Sequence, residues 1–125
     1  MENLKEIAIQ GEIWKQSSLA PAYYVSNYGR IYSTLYHKLI QPETSNGYAR
    51  VFLKDLATNQ FRHYSVHILI ATEFCKGKFD GAEVHHRNRN KLDNNASNLI
   101  WVTKITHKYI HSLIDMIDEL GGDVV

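Results

Sequence analysis

V-H-H-R-N-R-N-K-L-D-N-N-A-S-N-L-I-W-V-T-K-I-T-H, residues 84–107, places two short apolar segments on either side of a long polar loop. Glu83 to His86 and Asn98 to Val102 carry the β-branched and aromatic residues of strands, whereas Arg87 to Ser97 has no periodicity and is crowded with asparagine. Thr103 then opens a segment with Ile110, Leu113, Ile114, Ile117 and Leu120 on one face, stopped by Gly121-Gly122. The pattern predicts strand, loop, strand and helix. His85 and His86 are neighbours on a strand, so a regular pleat sends their side chains to opposite faces. His107, one turn into the helix, reaches the His85 side if the helix crosses the hairpin. Two neutral imidazoles leave most of a cation's coordination open, which suits a catalytic ion better than a closed structural one. His86 is then left as a base able to take a proton from water near neutral pH.

Upstream, Val66, Leu69, Ile70 and Phe74 follow helical spacing, with Ser65 as a cap and Gly77 as a stop, which predicts a short helix over residues 65–76. Before it, Tyr23-Tyr24-Val25, Arg30 to Ser33, Tyr48 to Leu53 and Gln60 to Ser65 read as strands. Asn27-Tyr28-Gly29, Asn46-Gly47 and Thr58-Asn59 supply turns, Asn46-Gly47 being the best hairpin signal. The fold class expected is α+β: an N-terminal antiparallel β unit, a helix, and a C-terminal ββα core. One compact domain is expected over residues 1–125, with a β-rich subregion at 12–64 and the ββα core at 65–120.

With 125 residues and 44% apolar, the chain supports one core and not two. Lys plus Arg number 14 against 13 acidic residues, a net charge of +1, so no global basic footprint marks a nonspecific nucleic-acid binder. Seven histidines in so short a chain point to a site. Cys75 is the only cysteine, which excludes a disulfide framework and a Cys-based zinc cage. No apolar run approaches the roughly 18 to 20 residues of a membrane span, and no signal peptide is visible. A soluble protein of the cytoplasm of a bacterial or phage-infected cell is expected, with no membrane partner.

The 84–107 stretch resembles the HNH endonuclease family, specifically the nucleases of phage homing endonucleases. Val66-His67-Ile68-Leu69-Ile70-Ala71 looks like the helix preceding that core. Ile13-Trp14-Lys15 with Tyr24 to Ser33 resembles a small DNA-contacting β module often fused ahead of it. The resemblance implies a ββα-metal core, with His85 and His107 as ligands of one divalent ion, His86 as general base and Asn98 as the structural asparagine. It implies hydrolysis of DNA phosphodiester bonds by a homing or free-standing endonuclease. A restriction or DNA-packaging nuclease of the same chemistry, or a non-catalytic nucleic-acid-binding module, is the alternative. Where many relatives carry aspartate before the base, this chain has His85, which favours Zn²⁺, Mn²⁺, Ni²⁺ or Co²⁺ over Mg²⁺. The sequence given ends soon after the last helix, short of the helix-turn-helix extension of some homing enzymes.

Arg30, Arg50, Arg62, Arg87, Arg89 and Lys91 are candidates for phosphate contacts, the last three because they lie in the loop beside the ion. His111, four residues after His107, shares its helix face and is an alternative ligand. His63, His67 and Trp101 read as structural, and Asn94 and Asn95 as turn formers. A monomer would favour nicking and a dimer cutting of both strands, and the sequence does not choose between them.

Overall fold

The computed structural model describes residues 3–119. A one-turn helix, α1 (Leu4–Ile7), is closed by a capping box in which the Asn3 side chain accepts from the Glu6 amide. β1 (Trp14–Gln16), β2 (Tyr23–Ser26), β3 (Ile31–Ser33) and β4 (Lys38–Leu39) then form an antiparallel sheet in chain order. A second antiparallel sheet contains β5 (Glu43–Ser45), β6 (Tyr48–Asp55) and β7 (Gln60–Ser65). α2 (Val66–Phe74) follows, then β8 (Glu83–His86), a 3-10 turn (Ala96–Asn98), β9 (Leu99–Val102) and α3 (Lys104–Glu119). The α+β order expected from the sequence is therefore the one observed.

Local chemistry accounts for the turns. Asn46 and Gly47 both take positive φ, 54° and 83°, and join β5 to β6 with Ser45 opposite Tyr48. This is the two-residue hairpin that tolerates only such residues, because its twist matches that of the strands. Along β6, Ala49, Val51 and Leu53 are buried and alternate with outward-facing neighbours. α1, β4 and β5, at 4, 2 and 3 residues, are too short to show a period and lay outside the sequence reading.

α2 ends at Phe74, two residues before the expected boundary, with Cys75 already extended. Ser65 stands at its N-cap without a side-chain cap bond. Thr103 does cap α3: its hydroxyl accepts from the Thr106 amide at 2.9 Å. The expected apolar face of α3 is described only as far as Leu113, which is exposed. The Ile114 and Ile117 side chains, Leu120 and the Gly121-Gly122 stop lie outside the described residues.

α2 holds the fold together. Its Val66, Leu69, Ile70 and Ala71 are buried, and it packs against β2, β6, β7, β8 and β9. The same cluster takes in Tyr23, Val25, Ile31, Val51, Leu53, Val84 and Leu99. Each large apolar side chain removed from water contributes about 1.5–3 kcal/mol, so this packing fixes the β8–β9 hairpin against the N-terminal sheets. Among the described residues no helix is long and apolar enough to cross a membrane.

Candidate active site

β8 and β9 pair antiparallel, with His85 opposite Ile100 and His86 opposite Leu99. The two histidines are 6% and 5% exposed and meet different neighbours, as the strand period requires. His85 stands edge-on to His107, ring centres 5.2 Å apart. His86 meets His67 at 5.2 Å and Tyr48 at 6.1 Å. A small cleft of about 20 Å³ is lined by Tyr48, Val84, His85, His86, Arg89, Lys91 and His107.

His107 is oriented from two sides. The first turn of α3 fixes its backbone, the His107 amide donating to the Thr103 carbonyl at 2.9 Å. Its Nδ1 lies 2.9 Å from Glu83 Oε2. A carboxylate on one ring nitrogen sets the tautomer and leaves the other nitrogen for a ligand, the usual arrangement around metal-binding histidines. Glu83 was missed in the sequence, although its place two residues before His85 put it on the same strand face.

The residues present fit a divalent ion. Imidazoles sharing one ion at roughly 2.1 Å stand with ring centres about 5 Å apart, close to the 5.2 Å between His85 and His107. A cavity of about 20 Å³ suffices for one small occupant. Among the described residues no group of three or more His, Cys, Asp or Glu side chains converges as a metal cage. Among the described side chains, His85 and His107 are the imidazole pair that could hold such an ion, with the rest of its coordination left to water and substrate oxygens. His111 was the alternative ligand, and its side chain lies outside the described residues.

The asparagine-rich loop is rigid because its side chains stand in for backbone partners. Asn88 Oδ1 accepts from the Asn90 amide, Asn90 Oδ1 from Leu92, and Asn95 Oδ1 from Ser97. Asn98 ties the ends together: Oδ1 accepts from the Asn88 amide at 3.0 Å, and Nδ2 donates to Asn88 Oδ1 and the Asp93 carbonyl, each at 2.9 Å. The side-chain hydrogen bonds of Asn98 thus go to Asn88 and Asp93 of the loop and not to His86.

Asn94, read from sequence as a turn former, makes that contact. Its Oδ1 lies 2.9 Å from His86 Nε2, in a buried pair. An amide oxygen only accepts, so Nε2 carries the proton of the neutral ring and Nδ1 keeps the lone pair that a base needs. Beside it, burial, reinforced by His86, pushes His67 down to about 4, so His67 is neutral near pH 7.

The cationic candidates separate. Arg89, at a left-handed φ of 64°, and Lys91, with Nζ 4.7 Å over the Tyr48 ring, line the cleft. Arg50 pairs with Glu43 and Arg62 with Asp55 on the outer sheet. Arg87 is exposed and is not among the residues of the cleft. Arg30 is engaged within the fold: its guanidinium donates to Glu12 and to the Ile7 carbonyl and lies over the Trp14 ring. It is an internal tie of the N-terminal sheet.

Residues 64–109 match the family model described as HNH endonuclease, and residues 12–54 match the NUMOD4 motif. Residues 64–109 are thus an HNH endonuclease segment, with a NUMOD4 motif ahead of it. It is 34% identical over 116 residues to an uncharacterized HNH endonuclease of Acanthamoeba polyphaga mimivirus, covering 86% of this chain and 28% of that protein. It is 36% identical over 83 residues to DNA endonuclease I-HmuI of Bacillus phage SP01, covering 66% of this chain and 47% of the relative. A solved structure of the homing endonuclease I-HmuI, described for DNA binding and cleavage, matches with a TM-score of 0.70 at 30% identity, over 90% of this chain and 62% of that one. The chain thus spans less than half the length of these two curated relatives.

Proposed function

We propose that this chain is a metal-dependent DNA endonuclease, hydrolysing phosphodiester bonds with His86 as general base and one divalent ion on His85 and His107. The observation that carries this reading is a single juxtaposition. A buried histidine with Nε2 bonded to Asn94 shares a cleft with the paired imidazoles of His85 and His107 and with the cations Arg89 and Lys91. His86 Nδ1 takes a proton from the attacking water, and Arg89 and Lys91 hold the phosphate so that attack runs in line. When bound, the ion supplies Lewis-acid stabilisation of the charge growing on the phosphate and the 3′ oxygen, leaving a 5′-phosphate end. Two nitrogen donors favour Zn²⁺, Mn²⁺, Ni²⁺ or Co²⁺ over Mg²⁺.

DNA is the proposed partner, in the cytoplasm of a bacterial or phage-infected cell. Residues 65–120 form the nuclease core, and residues 12–64 extend the contact surface within one domain. Arg50, Arg62 and Arg87 add phosphate contacts along the duplex, Arg50 and Arg62 exchanging their carboxylate partners for phosphate.

Supercoiled plasmid, incubated with the protein in EDTA or with each of Mg²⁺, Mn²⁺, Zn²⁺, Ni²⁺ and Co²⁺, tests the reading. The expected result is ion-dependent relaxation or linearisation that is lost in His86→Ala. Cleavage that persists in EDTA, or in His86→Ala, would remove the proposed mechanism.

A further inference from the structure

The turn between β2 and β3 abuts the back of the catalytic loop. The Asn27 carbonyl accepts from the Ala96 amide at 2.7 Å. Gly29, at φ +85°, lies so close to Asn94 that a Cβ there would stand 2.8 Å from its carbonyl oxygen and 3.0 Å from its carbonyl carbon. Neither the conformation nor the space admits a side chain. Asn94 in turn holds His86 Nε2 at 2.9 Å.

The turn is stiff enough to act as a support. Ser26 Oγ accepts from the amides of Tyr28 and Arg30, and its carbonyl accepts from the Gly29 amide. The Asn27 side chain accepts from the Ile13 amide at 2.7 Å and donates to the Gly11 carbonyl at 3.2 Å. Tyr28 Oη donates to the Gln10 carbonyl at 2.6 Å. The Ser26 side chain braces the turn from within, the Asn27 and Tyr28 side chains tie it back to residues 10–13, and its backbone presses on the nuclease loop.

We infer that the Ser26–Gly29 turn is a positioning element of the catalytic centre, setting Asn94 and through it the orientation and tautomer of His86. The N-terminal sheet then contributes to the rate of the chemical step and not to substrate binding alone. The inference rests on the reading of His86 as general base.

Two variants of the full chain test it. Gly29→Ala forces the turn and Asn94 apart, and Asn27→Ala removes the turn's side-chain bonds to the Ile13 amide and the Gly11 carbonyl, keeping its backbone bond to the Ile13 carbonyl and leaving the nuclease core untouched. In metal-free protein, the imidazole ¹⁵N shifts of His86 report its tautomer: a single Nε2–H form in the wild type, a mixture in both variants. Single-turnover cleavage of saturating DNA should slow roughly ten- to a hundredfold, as for a misplaced reacting group, with DNA affinity unchanged. If Gly29→Ala does not fold, Asn27→Ala carries the test. Weakened DNA affinity with an unchanged His86 tautomer and unchanged single-turnover rate would overturn the inference, as would wild-type behaviour of Asn27→Ala. Retained cleavage by His86→Ala would count against the base assignment instead, and the ¹⁵N shifts would still judge the turn.

Discussion

Oδ1 of Asn94 stands 2.9 Å from Nε2 of His86, and neither side chain is more than 7% exposed. The bond dictates which imidazole nitrogen is left unprotonated and prevents the ring from turning. Removing it leaves a buried N–H without a partner, at a cost of about 1–3 kcal/mol. Asn94→Ala should therefore cleave roughly 10- to 100-fold more slowly while keeping its affinity for the ion. Single-turnover cleavage and calorimetric ion titration together check this. A parallel loss of ion binding would make Asn94 part of the metal site.

Glu83 performs the corresponding service for His107, its Oε2 lying 2.9 Å from Nδ1. Glu83→Ala leaves the ring free to rotate and lowers its basicity. The expected outcome is a roughly 10- to 100-fold weaker affinity for Mn²⁺ or Zn²⁺. Saturating the variant with ion should then restore most of the cleavage rate, which Asn94→Ala should not allow. Titration calorimetry followed by cleavage at high ion concentration separates the two.

The strand, loop, strand, helix order was legible because it rests on local signals: the apolar ends around Arg87 to Ser97, and Thr103 before the last helix. His85, His86 and His107 stood out in the sequence because few side chains can ligate a metal or take a proton near neutral pH, and the fold brings all three to one cleft. The partners were harder. Asn88, Asn90, Asn94, Asn95 and Asn98 are one residue type in one loop, and only the folded path decides that Asn94 faces His86 while Asn98 ties the loop. Glu83 lay on the correct strand face, but its contact depends on how α3 crosses β8. The internal role of Arg30 was not legible because its partners, Glu12 and Trp14, are distant in sequence and come together only when β1, β2 and β3 pair.

His67 should make stability depend on acidity. Burial first, and His86 second, hold it at about 4 in the folded chain against an ordinary value of 6.5. Between these values the unfolded chain binds more protons than the folded one. The contribution is therefore complete above the ordinary value, declines as pH falls below it, and levels off once the folded group titrates. With allowance for solvent screening the decline amounts to about 2 kcal/mol. His67 Nδ1 is buried without a hydrogen-bond partner among the described residues, so His67→Phe breaks no bond there. Urea unfolding at about pH 7 and about pH 4.5 should show the loss in the wild type and a smaller one in the variant. An equal loss in both would assign the acid sensitivity elsewhere.

Arg30 and Arg89 offer the sharpest contrast between a basic residue that builds the fold and one that is proposed to meet the substrate. Arg30 is 29% exposed, and the Glu12 side chain it pairs with is fully covered. The guanidinium keeps the Glu12 carboxyl below its ordinary range, although burial alone would raise it. Arg30→Ala takes away the charged partner of that carboxylate, leaving it the Ile9 amide and Ser26, and should destabilise the chain by up to about 3 kcal/mol. Its DNA affinity, measured where it is still folded, should keep the wild-type dependence on salt. Arg89→Ala should do the reverse, leaving the melting temperature near that of the wild type and reducing the slope of log affinity against log salt by about 0.9. The Arg89 prediction fails if its slope is unchanged, because a side chain that lines the cleft without neutralising a phosphate releases no counterion.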